Sequence, residues 1–110
     1  MNSAGPISNL DAFDVVGVRK GGGVDLVISC SGPLDDGPAT LTLLEQKVGN
    51  YLASVAHPNF PNVYPSASTG PVKLFISCGY TVSPKAQELI DSLTLRAAQI
   101  GVELSLVEYM

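Results

Sequence analysis

The sequence predicts an α/β (α+β) two-layer sandwich: a four-stranded mixed sheet with both helices on one face, in the order β-β-α-β-α-β. Three observations predict it. Leu26-Val27-Ile28-Ser29-Cys30-Ser31 recurs almost intact as Leu74-Phe75-Ile76-Ser77-Cys78-Gly79, and each copy leads through a short polar loop into a leucine-rich helical pattern. Gly21-Gly22-Gly23 joins two β-type runs, and a lone Gly101 joins the second helical pattern to a closing apolar run. At 110 residues the chain is one domain with one core. Residues 1–9, small, polar and proline-containing, are expected to form a flexible tail, and residues 10–110 the domain.

The elements follow in order. Phe13 to Arg19 is strand-like, and so is Val24 to Cys30; the glycines between them supply the positive φ of a tight hairpin turn. Asp35-Asp36-Gly37-Pro38 offers capping acids and a first-turn proline. Leu41, Leu44, Val48, Tyr51, Leu52 and Val55 then recur at helical spacing and form one apolar stripe. Gly49 within that helix costs roughly 1 kcal/mol against alanine, and close packing on the sheet is the simplest reason for it. His57 to Pro71 carries four prolines and is expected to be an irregular loop of about fifteen residues, a length associated with function. Val72 to Cys78 is the third strand. Ser83 caps a helix from Pro84 to Ile100, with Ala86, Leu89, Ile90, Leu93, Ala97 and Ile100 inward and Gly101 at its end. Val102 to Val107 closes the sheet, parallel to the third strand through a right-handed crossover. The direction of the third strand is left open by the long loop before it.

Phe13-Asp14-Val15-Val16-Gly17-Val18, Val24-Asp25-Leu26-Val27-Ile28-Ser29, Leu43-Leu44-Glu45-Gln46-Lys47-Val48-Gly49-Asn50-Tyr51-Leu52 and Gly101-Val102-Glu103-Leu104 together resemble a family of small bacterial proteins classed as a domain of unknown function. The resemblance runs from about residue 9 onward and is strongest in the Leu-Leu-x-Gln-Lys-x-x-x-Tyr-Leu helix. Members usually carry an Asp and a Trp after the second strand, where this chain has Cys30 to Leu34 and no Trp. The resemblance implies the fold and no activity.

Charge excludes one class of function. Net charge is −4, and the six basic residues are scattered; nucleic-acid binding needs clustered cations. No apolar run approaches the ~20 residues that span a bilayer, and the first residues lack the basic and apolar regions of a secretory leader. A cytoplasmic location is therefore expected, where two cysteines remain thiols more often than they pair.

Period-two alternation sets the candidate residues. Leu26, Ile28 and Cys30 share a strand face, as do Leu74, Ile76 and Cys78, so both cysteines belong with the core or its rim. The alternatives are a reactive thiol at a strand's carboxyl end near a helix N-terminus, and a disulfide between the two. His57 follows a helix of roughly 25–30 Å that runs away from Cys30, which puts a Cys30–His57 pair out of reach, while a Cys78–His57 pair needs the loop to fold back. One histidine, two separated cysteines and Asp35 with Asp36 make no metal-ligand spacing, so no metal and no cofactor is expected.

The opposite sheet face presents Val27, Ser29, Phe75, Ser77 and Val107, to which the first strand could add Val16 and Val18. No third layer of so short a chain covers this mixed apolar patch, which points to self-association or another protein. Phe60 and Tyr64, stiffened by prolines, either form a second contact surface or tuck over the core. The leading expectation is a small non-catalytic protein-interaction or homo-oligomerising module. The competing one is a thiol-dependent enzyme or small-ligand sensor using Cys30 or Cys78.

Overall fold

A computed structural model describes residues 15–30 and 32–108; the proposed tail, Phe13, Asp14 and Ser31 lie outside them. The chain forms strands β1 (Val15–Val18) and β2 (Val24–Ser29), helices α1 (Pro38–Ala56) and α2 (Phe60–Val63), strand β3 (Val72–Cys78), helix α3 (Pro84–Ala98) and strand β4 (Val102–Glu108). The sheet order is β1-β2-β3-β4, with β1 antiparallel to β2 and the other neighbours parallel. The third strand is thereby settled as parallel. The two copies of the sequence repeat are the two central strands, paired residue for residue as Leu26↔Leu74, Ile28↔Ile76 and Ser29↔Ser77.

Two successive parallel crossovers in the same direction put α1 and α3 on one face. Beneath them the alternate residues Val24, Leu26, Ile28, Val72, Leu74, Ile76, Val102 and Leu104 form the core with Leu44, Val48, Tyr51, Leu52, Ile90 and Leu93. Each fully buried aliphatic side chain contributes about 1.5–3 kcal/mol. Lys47 is also fully buried in α1, its ammonium 5.8 Å from the centre of the Tyr51 ring. The Tyr51 hydroxyl donates to the Val27 carbonyl at 3.3 Å.

The hairpin turn does more than reverse the chain. Gly22 and Gly23 have φ of +107° and +106°, and a Cβ on Gly23 would lie 2.7 Å from the Pro71 carbonyl oxygen. Gly23 N–H donates to Ser66 O at 2.7 Å and Val24 N–H to Pro71 O at 3.0 Å. Gly22 and Gly23 thus seat the turn against the segment leading into β3, where a Cβ on Gly70 would in turn lie 2.4 Å from the Gly22 carbonyl carbon.

Several expectations are corrected. The proline segment is not irregular: α2 and a 3₁₀ turn at Pro65–Ser68 occupy it, with proline in the first turn of each, where its missing N–H is no loss. The N-cap of α1 is Gly37 without a side-chain bond; Asp35 instead accepts from the Gly37 N–H at 2.9 Å and shapes the turn before the helix. Helix α3 is capped by the Ser83 hydroxyl, which accepts from Ala86 N–H at 3.1 Å, but it ends at Ala98, so Ile100 is exposed. Gly101, at φ +80°, makes the expected reversal. A Cβ on Gly49 would meet no described atom within 4 Å, so packing among the described residues does not require that glycine.

Candidate functional site

The face of the sheet away from the helices is ordered by register into three rows. The first runs Gly17, Asp25, Lys73, Glu103; the second Val15, Val27, Phe75, Ser105; the third Ser29, Ser77, Val107. Neighbours within a row are about 4.8 Å apart and the rows about 6.7 Å apart. The five open-face residues expected from the sequence therefore lie together. Strand β1 contributes differently from expectation. Val16 pairs with Leu26 and Val18 with Val24, on the helix side, whereas Val15 pairs with Val27 on the open side. Parity depends on the number of turn residues, and five residues separate Val18 from Val24.

Phe75 and Val27 are half-buried at the centre of the middle row; Val15, at its β1 end, is 50% exposed, and Val107, in the third row, is 39% exposed. The first row is charged. Arg19 continues the β1 ladder through its N–H to Gly23 O at 3.0 Å, and lies on the same face as Gly17. With no side chain on Gly17, its guanidinium reaches Asp25, with Nη2 2.6 Å from Oδ1 and Nε donating to Oδ2 at 3.1 Å. Lys73 Nζ lies 3.4 Å from Glu103 Oε1. Across the sheet the sequence of charge is plus, minus, plus, minus.

The cysteines lie elsewhere. Cys30 comes one residue after the Ser29↔Ser77 pair, its N–H donating to Ser77 O at 3.0 Å, and Cys78 ends β3. They are neighbours at the carboxyl edge, and both are thiols. Cys78 is 1% exposed, and its Sγ lies 3.6 Å from Tyr80 O and 3.9 Å from Gly32 O. The loops beyond it are zipped by a parallel bridge, Leu34↔Val82, with Leu34 N–H donating to Thr81 O at 2.9 Å and Ser83 N–H to Leu34 O at 2.8 Å. A polar cleft of about 710 Å³ opens here, lined by Cys78, Tyr80, Thr81 and Gln87 among others. This is the edge at which open parallel sheets place ligands.

His57 and the aromatic pair occupy the other end. Phe60 is buried in the core, with its ring centre 5.1 Å from that of half-buried Tyr64. A more apolar cleft of about 490 Å³ lies beside them. His57 is exposed, and its Nδ1 accepts from the Asn59 N–H at 3.0 Å. Phe60 therefore tucks over the core, and neither aromatic joins the open sheet face. Among the described residues no three His, Cys, Asp or Glu side chains are grouped to hold a metal ion, and no helix is long and apolar enough to cross a membrane.

Among the described residues, the fold and this face define a two-layer α/β sandwich with α1 and α3 on one side of the sheet. A model of a family of unknown function, DUF6572, matches residues 6–109, and the chain belongs to that family. No curated protein and no solved structure matches it.

Proposed function

We propose that the protein is a non-catalytic association module whose working surface is the open face of its sheet. The observation that carries this reading is the row Val15, Val27, Phe75, which sets an aromatic and two valines side by side on the face that α1 and α3 leave uncovered. An idle antiparallel face is usually studded with polar residues; here the central positions of a largely parallel sheet are apolar, the arrangement of a face that is covered. The proposal includes a cytoplasmic setting, which suits two thiols. It needs no cofactor.

The test compares the wild-type chain with Phe75→Glu by sedimentation velocity and solubility. The association reading expects concentration-dependent sedimentation in the wild type that the substitution abolishes, with an unchanged circular-dichroism spectrum. A monomeric wild type whose solubility Phe75→Glu leaves unchanged refutes it.

A second reading, a thiol-dependent enzyme or small-ligand sensor, has one observation in its favour: Cys78 borders the polar cleft at the carboxyl edge. Against it, the sulfur is buried under the zipped loops.

A further inference from the structure

From the alternating charge row we infer that the open face is self-complementary: it takes a second copy of this chain, related by a two-fold axis parallel to the strands. This inference rests on the association reading and adds the partner and the register. Two face-to-face sheets pack with their strands roughly aligned, and a closed dimer uses the same patch on both copies. Only two in-plane axes keep the strands aligned.

An axis perpendicular to the strands would lay the charged row of one copy over Ser29, Ser77 and Val107 of the other. Four charges would then lose water without gaining partners, which is costly. An axis parallel to the strands reverses strand order, so β1 lies over β4 of the second copy and β2 over its β3. Arg19 then faces Glu103 of the second copy, and Asp25 faces its Lys73. Because plus-minus-plus-minus reversed is its own complement, every charge in the row meets the opposite sign. In the same register Phe75 of each copy lies over Val27 of the other, which places the apolar centres in contact. Intrachain pairing of Arg19 with Asp25 and of Lys73 with Glu103 holds the four groups in this order before association.

The face spans roughly 20 by 20 Å, and with side-chain relief buries about 400–600 Å² per copy. That is at or below the small end of specific interfaces, so the dimer is expected to form in the micromolar range.

The test is a charge swap read by sedimentation equilibrium of the full chain. In Lys73→Glu the introduced carboxylate faces Asp25 of the second copy, and in Asp25→Lys the introduced ammonium faces Lys73. Each clash occurs twice across the two-fold axis, so each variant alone should dimerise at least about tenfold more weakly than wild type. Mixed in equal amounts the two variants are complementary at all four positions, and a heterodimer within about threefold of wild-type affinity is expected. Matching circular-dichroism spectra for all chains show that the swaps leave the fold intact. If Phe75→Glu abolishes dimerisation but the mixture does not recover it, the register is overturned and the association reading stands. If Phe75→Glu leaves dimerisation intact, both are overturned. A wild type that stays monomeric at hundreds of micromolar overturns the second copy as partner.

Discussion

The accessibility of Cys78 separates the association reading from the thiol reading, and its magnitude follows from the structure. The perturbation is Cys30→Ser, which leaves Cys78 as the single thiol. To reach the sulfur, a reagent needs the carboxyl edge to open. Opening breaks the Leu34–Thr81, Ser83–Leu34 and Cys30–Ser77 backbone hydrogen bonds, each worth about 1 kcal/mol net. It also exposes Leu34, which is fully buried, at a further cost of about 2 kcal/mol. An opening free energy of about 5 kcal/mol corresponds to roughly 10³- to 10⁴-fold protection. The assay is exchange with an aromatic disulfide reagent near neutral pH, referenced to the same chain in denaturant. Below the unfolding transition the rate should rise only shallowly with urea, because the opening is local. A native rate within about tenfold of the denatured chain would refute the reasoning and return Cys78 to the cleft as a candidate nucleophile.

Other perturbations test the fold that holds the face in place. Gly23→Ala should cost about 3 kcal/mol, a fall in Tm of roughly 10–15 °C, since φ of +106° is strained for alanine and its Cβ would press on Pro71 O; a fall under a few degrees would mean the turn does not pack on that segment. Lys47→Ala should lower stability by about 2–4 kcal/mol in urea titration, because the fully buried side chain fills core space beside Tyr51; a loss under about 0.5 kcal/mol would contradict that packing. Gly49→Ala should raise stability by about 0.5–1 kcal/mol, as no described atom opposes the added methyl; a loss would mean that something does.

Much of this was legible in the sequence, for identifiable reasons. Leu26/Ile28 and Leu74/Ile76 obey period two in matching contexts, and two equivalent strands feeding two helices have few ways to pack. That repeat yielded the strand core and the open-face positions Val27, Ser29, Phe75 and Ser77 together, and the alternation of the closing run added Val107. Features set by tertiary register were not legible. Which side of β1 faces out depends on the pairing register that the turn imposes, and the glycine run alone does not show where the strands stop pairing. Nothing in the spacing of Arg19, Asp25, Lys73 and Glu103 announces a shared charge row, because they lie on four strand ladders joined by one hairpin turn and two crossovers. Nothing in the helical spacing marks Lys47 as buried, yet it is enclosed beside Tyr51. The prolines of residues 58–71 signalled a break, yet Pro61 and Pro65 each open a short helical turn, which the same residue type permits.

The most direct test of the account is the dissociation constant of the equimolar mixture of Lys73→Glu and Asp25→Lys, measured beside each variant alone. The account predicts weak self-association of each and near-wild-type association of the mixture. A mixture no tighter than its components would contradict it.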